Sequence, residues 1–160
     1  MSDGAPAPVL QRIVALLDAH AIAYRVLRHA PAFTSEEAAR VRDVPLSTGA
    51  KALLCKGDDG FVLCVLPADR RLHSNAVRRA LRWSGLRFAT RDELFDLTGL
   101  RPGAVPPFGS LFGVRTLCDL DLPSAPVMNF TAGDHGVSVS MAPADYVRLE
   151  RPELLRVGRP

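Results

Sequence analysis

Two apolar runs, Ala50 to Lys56 and Phe61 to Leu66, are separated only by Gly57-Asp58-Asp59-Gly60. No other feature constrains the fold as much. Glycine takes positive φ at no steric cost and aspartate bonds its own backbone, so the spacer predicts a tight turn and the runs an antiparallel hairpin. Both runs are apolar at nearly every position rather than at alternate ones. Such a hairpin belongs inside a sheet covered on both faces.

The rest of the chain supplies the cover. Over residues 8–20, Val9, Leu10, Ile13, Leu16 and Leu17 share one helical face, with Pro8 suited to the first turn. A short strand is predicted from Ala23 to Leu27. Thr34-Ser35-Glu36-Glu37 is a capping-box pattern opening a helix through Arg42 that stops before Pro45. Ser74 is the expected cap of a helix with Val77, Ala80 and Leu81 inward, and Thr90 with Glu93 repeats the capping box ahead of a helix to Leu97. Strands are predicted over Leu111 to Leu117, Val127 to Phe130 and Val137 to Met141, then a helix from Ala142. This order predicts the α/β (α+β) class: one domain over residues 1–160, a central mixed β-sheet with packed helices, and a flexible tail over residues 1–7.

With 48% hydrophobic and 23% charged residues in 160, the chain can bury a sizeable core, which excludes the disordered classes. No apolar run approaches the ~20 residues that a membrane-spanning helix needs, and the start has no export signal. Cys55, Cys64 and Cys118 lie in apolar segments without ligand spacing, as expected of reduced thiols in a cytoplasmic protein with no metal and no cofactor. The net charge of +3 permits an RNA partner without requiring one.

Every basic residue but Lys51 and Lys56 is arginine. By the period of two, Lys51 shares a strand face with Leu53 and Cys55. An ammonium there either reaches water at a strand end or anchors a phosphate or carboxylate at a pocket mouth. The loop Gly99 to Gly109 holds three glycines and three prolines, which makes it stiff and exposes its backbone; it is either a ligand-facing wall or a connector. Asn129 to Gly136 places Asn129, Gly133, Asp134 and His135 at a strand-to-strand turn, for acid–base work or simply for turning. Arg70, Arg71, Arg78, Arg79 and Arg82, with Trp83 nearby, form either a patch for a nucleic-acid backbone or a solvated face. No Ser or Cys sits in a nucleophile motif.

The run Gly99-Leu100-Arg101-Pro102-Gly103-Ala104-Val105-Pro106-Pro107-Phe108-Gly109 resembles the signature loop of the YbaK/prolyl-tRNA-editing domain superfamily. His29-Ala30-Pro31 with Thr34 to Ala38, Gly49 to Leu53, and Pro67 to Leu72 agree in order and spacing. The resemblance implies a free-standing trans-editing hydrolase that cleaves the ester joining a wrong amino acid to tRNA, with the tRNA for proline expected. Such editing is needed where a pocket cannot separate amino acids that differ by one methylene.

On that resemblance Lys51 holds the 3′ end. Gly103, Ala104, Val105, Pro106 and Gly109 shape the amino-acid pocket, and the loop amides are the expected oxyanion donors. His29, Phe33 and Thr34 close the opposite side. The expected partners are mischarged tRNA and a synthetase, with no membrane and no DNA. Ala52 follows the lysine where alanine-removing members carry Asn and cysteine-removing members Thr. The rival reading is a non-catalytic module of the same fold that binds an aminoacyl-tRNA or a synthetase.

Overall fold

The structure, a computed structural model, describes residues 8–160; the tail expected over residues 1–7 lies outside them. The described helices are α1 (Val9–Ala19), α2 (Ser35–Arg42), α3 (Ser74–Leu81), α4 (Arg91–Thr98) and α5 (Pro143–Glu150). The long strands are β1 (Tyr24–Arg28), β2 (Ala50–Gly57), β3 (Gly60–Pro67), β6 (Arg115–Asp119), β7 (Met128–Thr131) and β8 (Val137–Met141). Short ones are β4 (Arg71–Leu72), β5 (Leu86–Phe88), β9 (Glu153–Leu155) and β10 (Gly158–Arg159).

The predicted hairpin is the centre of the molecule. β2 and β3 pair antiparallel from Ala50↔Pro67 to Gly57↔Gly60, and they occupy the middle of a mixed five-stranded sheet ordered β5-β2-β3-β6-β9. Both faces are covered. Leu54, Leu63, Val65 and Cys118 pack with α1 and the aromatic group Phe108, Phe130 and Tyr146. On the other face Cys55, Val62, Cys64 and Leu66 pack with Val77 and Trp83. A second, antiparallel sheet ordered β1-β8-β7 stands beside the first, and a single parallel bridge, Gly49↔Asn129, joins the two.

Local chemistry accounts for most boundaries. Thr90 and Glu93 form the expected reciprocal capping box. At α2 the Thr34 hydroxyl accepts from the Glu37 amide, but the Glu37 carboxylate reaches past Thr34 to accept from the Phe33 N–H at 2.9 Å. The cap of α3 is His73, whose Nδ1 accepts from the Ala76 N–H, and the expected cap Ser74 is the first helical residue. The strand expected from Leu111 begins only at Arg115, because Gly109–Phe112 winds into a 3₁₀ turn. That turn needs glycine first: a Cβ at Gly109 would lie 2.4 Å from Thr116 Oγ1.

A buried carboxylate fastens the C-terminal segment. Asp119 has no solvent exposure and accepts from the N–H groups of Val157 at 2.9 Å, Gly158 at 2.6 Å and Asp121 at 2.9 Å, and from Arg156. The ribbon β10-β4 follows from that anchorage.

Candidate active site

β5 pairs with only Cys55, Lys56 and Gly57 of β2, which leaves the first half of β2 without a strand on that side. Ladder alternation turns the N–H and C=O of Ala52 toward the unpaired edge. Above it the loop from α4, the start of α2 and the end of β7 enclose a cleft of about 270 Å³. Lys51, Gly103, Val105, Phe33 and Thr34 line it. Small residues (Ala32, Ala38, Gly49, Ala50, Ala52 and Ala68) leave the space open.

Lys51 is half-buried, and among the described residues no carboxylate lies within ion-pair distance of its ammonium. Burial lowers its pKa from the usual lysine value; Glu36 and Asp69 oppose the shift, and Arg71 adds to it. The ammonium therefore sits where an incoming anion replaces lost hydration. Gly103 lines the same cleft at φ +86°, and a Cβ there would lie 3.0 Å from the Phe33 carbonyl oxygen. Of the loop amides expected as oxyanion donors, Ala104 donates to Arg101 and Gly109 to Thr116, so both are spent. The N–H groups of Gly103 and Val105 have no recorded partner among the described residues, and both residues line the cleft.

The rim is aromatic. Phe33 is 62% exposed, with its ring 4.5 Å from that of His135. His135 is held in turn by the Pro102 carbonyl at 2.9 Å, so the rim and the glycine loop form one assembly.

Other expected site residues lie elsewhere. Gly133 packs under α1, where a Cβ would meet Val9 at 2.7 Å, and its N–H donates to Ala104. Asp134 closes its own turn by accepting from the Gly136 N–H at 2.7 Å. Asn129 is buried and donates to Thr48 Oγ1. Ala104, Pro106 and Gly109 are buried scaffold of the loop, outside the cleft lining. His29 is outside the cleft lining, with Nε2 2.7 Å from Ser138 Oγ.

Among the arginines, Arg70 is paired with Asp121 at 3.1 Å, whereas Arg71 lies close enough to act on Lys51. Arg78 bonds the Trp83 carbonyl, and Arg79 is exposed on α3. Trp83 is buried against Gly57, with its Nε1 donating to Asp59, and does not belong to a nucleic-acid surface. Gly57 is six residues along the strand from Lys51, roughly 20 Å at the usual strand rise.

Sequence reasoning missed Arg42. Its side chain leaves the end of α2 and lines the cleft; Nε donates to Ser138 Oγ at 2.8 Å and Nη2 to Thr131 Oγ1 at 3.2 Å. Burial draws this guanidinium down to about 10, still a cation at neutral pH. The alternation Val137-Ser138-Val139-Ser140 carried the available signal, a polar face on an otherwise apolar strand.

The cleft holds no assembled nucleophile. Among the described residues none of its hydroxyls is hydrogen-bonded to a histidine, and the cysteines are buried, with Cys118 pushed up to about 12 by desolvation. The arrangement offers a cation, free amides and a stiff wall, which suits holding an ester for attack by water.

Comparison with known proteins identifies relatives of the chain. The profile of the aminoacyl-tRNA editing domain matches residues 29–149. The chain is 34% identical over 156 residues to the Multifunctional Ser/Thr-tRNA deacylase ProXp-y of Escherichia coli K12, covering 93% of this chain and 92% of that one. It is 32% identical over 77 residues to the proline–tRNA ligase of Thermosipho africanus, covering 48% of this chain and 14% of the ligase. A solved structure described as a proposed trans-editing enzyme for prolyl tRNA synthetase superposes with a TM-score of 0.82 at 23% identity, covering 98% of this chain and all of that one. The cleft between the lysine strand and the glycine loop is thus found on a chain that belongs to the aminoacyl-tRNA editing domain family.

Proposed function

We propose that this protein is an aminoacyl-tRNA deacylase: it hydrolyses the ester between a mis-attached amino acid and the terminal ribose of a tRNA. The observation that carries the reading is the half-buried Lys51 ammonium, without a carboxylate partner among the described residues, in one small cleft with Gly103 and Val105, whose amides have no recorded partner. Lys51 anchors the 3′ end. Water attacks the ester carbonyl carbon, the loop amides hold the oxyanion that forms, and the ribose oxygen leaves with a proton. The Phe33 ring, backed by His135, offers a face for the terminal base.

The cleft walls of alanine, with the hydroxyls of Thr34 and Ser35, suit a small polar aminoacyl group. The name of the E. coli relative points to seryl and threonyl esters. The ligase likeness makes the tRNA for proline the second acceptor to try and a synthetase a candidate partner. Single-turnover deacylation across a panel of mischarged tRNAs tests this, with seryl and threonyl esters expected to turn over fastest. Tight binding with no hydrolysis of any ester would favour the non-catalytic module instead.

A further inference from the structure

The second sheet turns one face to the core, and its other face sets arginine, amide and hydroxyl groups beside an exposed leucine. Register places Arg25, Ser140 and Asn129 in one cross-strand row and Leu27, Ser138 and Thr131 in the next. Arg42 lies across these rows, bonded to Ser138 and Thr131. A cavity of about 320 Å³ opens over this face, and no carboxylate lines it. Arg42 borders both this cavity and the cleft of Lys51, so the two are neighbours with one guanidinium between them.

The guanidinium is costly where it stands. It is largely buried, its partners are neutral hydroxyls, and among the described residues no acid pairs with it. Its Nη1 makes no recorded bond, yet no buried side-chain nitrogen is left unsatisfied among the described residues, so Nη1 is accessible. A scaffold role needs only the two hydroxyl contacts; the spare donor, the unpaired charge and the exposed Arg25 in the adjoining row need an anion.

We infer that this donor face is a phosphate subsite. It takes the backbone of the single-stranded 3′ end just before the terminal nucleotide, with Arg42 and Arg25 as its cations. The inference rests on the function proposed above: a strand whose 3′ end occupies the cleft reaches this face where the two cavities adjoin, at Arg42. A path of sugar and phosphate suits a face that combines arginines and hydroxyls with an apolar floor of Val44 and Leu27.

The test is equilibrium binding of uncharged tRNA over a range of salt, read without turnover. Arg25→Ala, at an exposed strand position, should weaken binding about three- to tenfold and reduce the salt slope by about one. Arg42→Lys keeps the charge but loses the planar fork, and a similar weakening is expected with the melting temperature monitored in parallel. Unchanged affinity and slope in Arg25→Ala would overturn the subsite. A wild-type protein that binds tRNA with this dependence but hydrolyses no ester would instead remove the deacylase reading and leave the subsite standing.

Discussion

Gly103 and Phe33 are in backbone contact across the cleft: at φ +86° the glycine leaves no room for a Cβ, which would meet the Phe33 carbonyl oxygen at 3.0 Å. Phe33 is itself fixed, since its N–H donates to Glu37. Gly103→Ala must therefore shift the loop against α2 and adopt an unfavourable left-handed conformation, at a cost of about 1–2 kcal/mol. Deacylation should fall about tenfold to a hundredfold while the melting temperature drops only a few degrees. Wild-type rates in a folded variant would show that the loop is a connector.

Lys51 should separate activity from stability. Burial lowers its pKa in the folded state, so the charged form works against folding at neutral pH. Lys51→Met is expected to hold or raise the melting temperature while deacylation falls by about 10²–10³. Because the folded value lies below the unfolded one, this stability gap is present at neutral pH. It closes as pH rises through the folded-state pKa toward 10.5, the ordinary lysine value. Melting curves of both proteins from neutral to alkaline pH check the sign.

The acid limb of stability should follow the carboxylates of the first sheet. Arg87 hydrogen-bonded to Glu93, with help from the Thr90 amide, holds Glu93 down at about 2. Arg156 does the same in direction for Asp121, and Arg115 for Glu153. Each group lies below its ordinary value when folded, so its contribution is complete above about pH 4.5 and is lost as pH falls toward 2. Glu93→Gln should flatten that part of the melting-temperature profile; an unchanged slope would exclude Glu93 as a contributor.

Asp119→Ala should be among the most damaging substitutions outside the cleft. It strands the Val157, Gly158 and Asp121 amides at once and leaves Arg156 with one acid fewer. A loss of about 3 kcal/mol or more is expected, a fall in melting temperature on the order of 10 °C. Increased protease sensitivity near residue 157 would locate the loosened segment.

What the sequence discloses and what it hides follow one physical line. The β2–β3 hairpin, the Thr90 cap and the lysine strand are read from neighbours in the chain, where turn chemistry and side-chain period act locally. Gly103 and Lys51 fall in the same cleft because a stiff loop and a strand edge can be recognised separately. Arg42 was hidden, because its meaning lies in Thr131 and Ser138, some ninety residues away. Gly109 reads as a pocket glycine and Gly133 as part of a turn, but both serve close packing, beside Thr116 and under Val9, which no local pattern reveals. The two- and three-residue strands β4, β5, β9 and β10 are too short to carry a period, and His73 displaces Ser74 as a cap through ring geometry that composition does not encode.

The lone Gly49↔Asn129 bridge means that the two sheets are sewn together by a single stitch beside the cleft. Lys51 stands on one side of that seam, and the hydroxyls that hold Arg42 stand on the other. A nucleic-acid strand grasped by both cations becomes a second stitch. Occupancy should then slow amide hydrogen exchange at the start of β2 and along β7, on both sides of the seam at once.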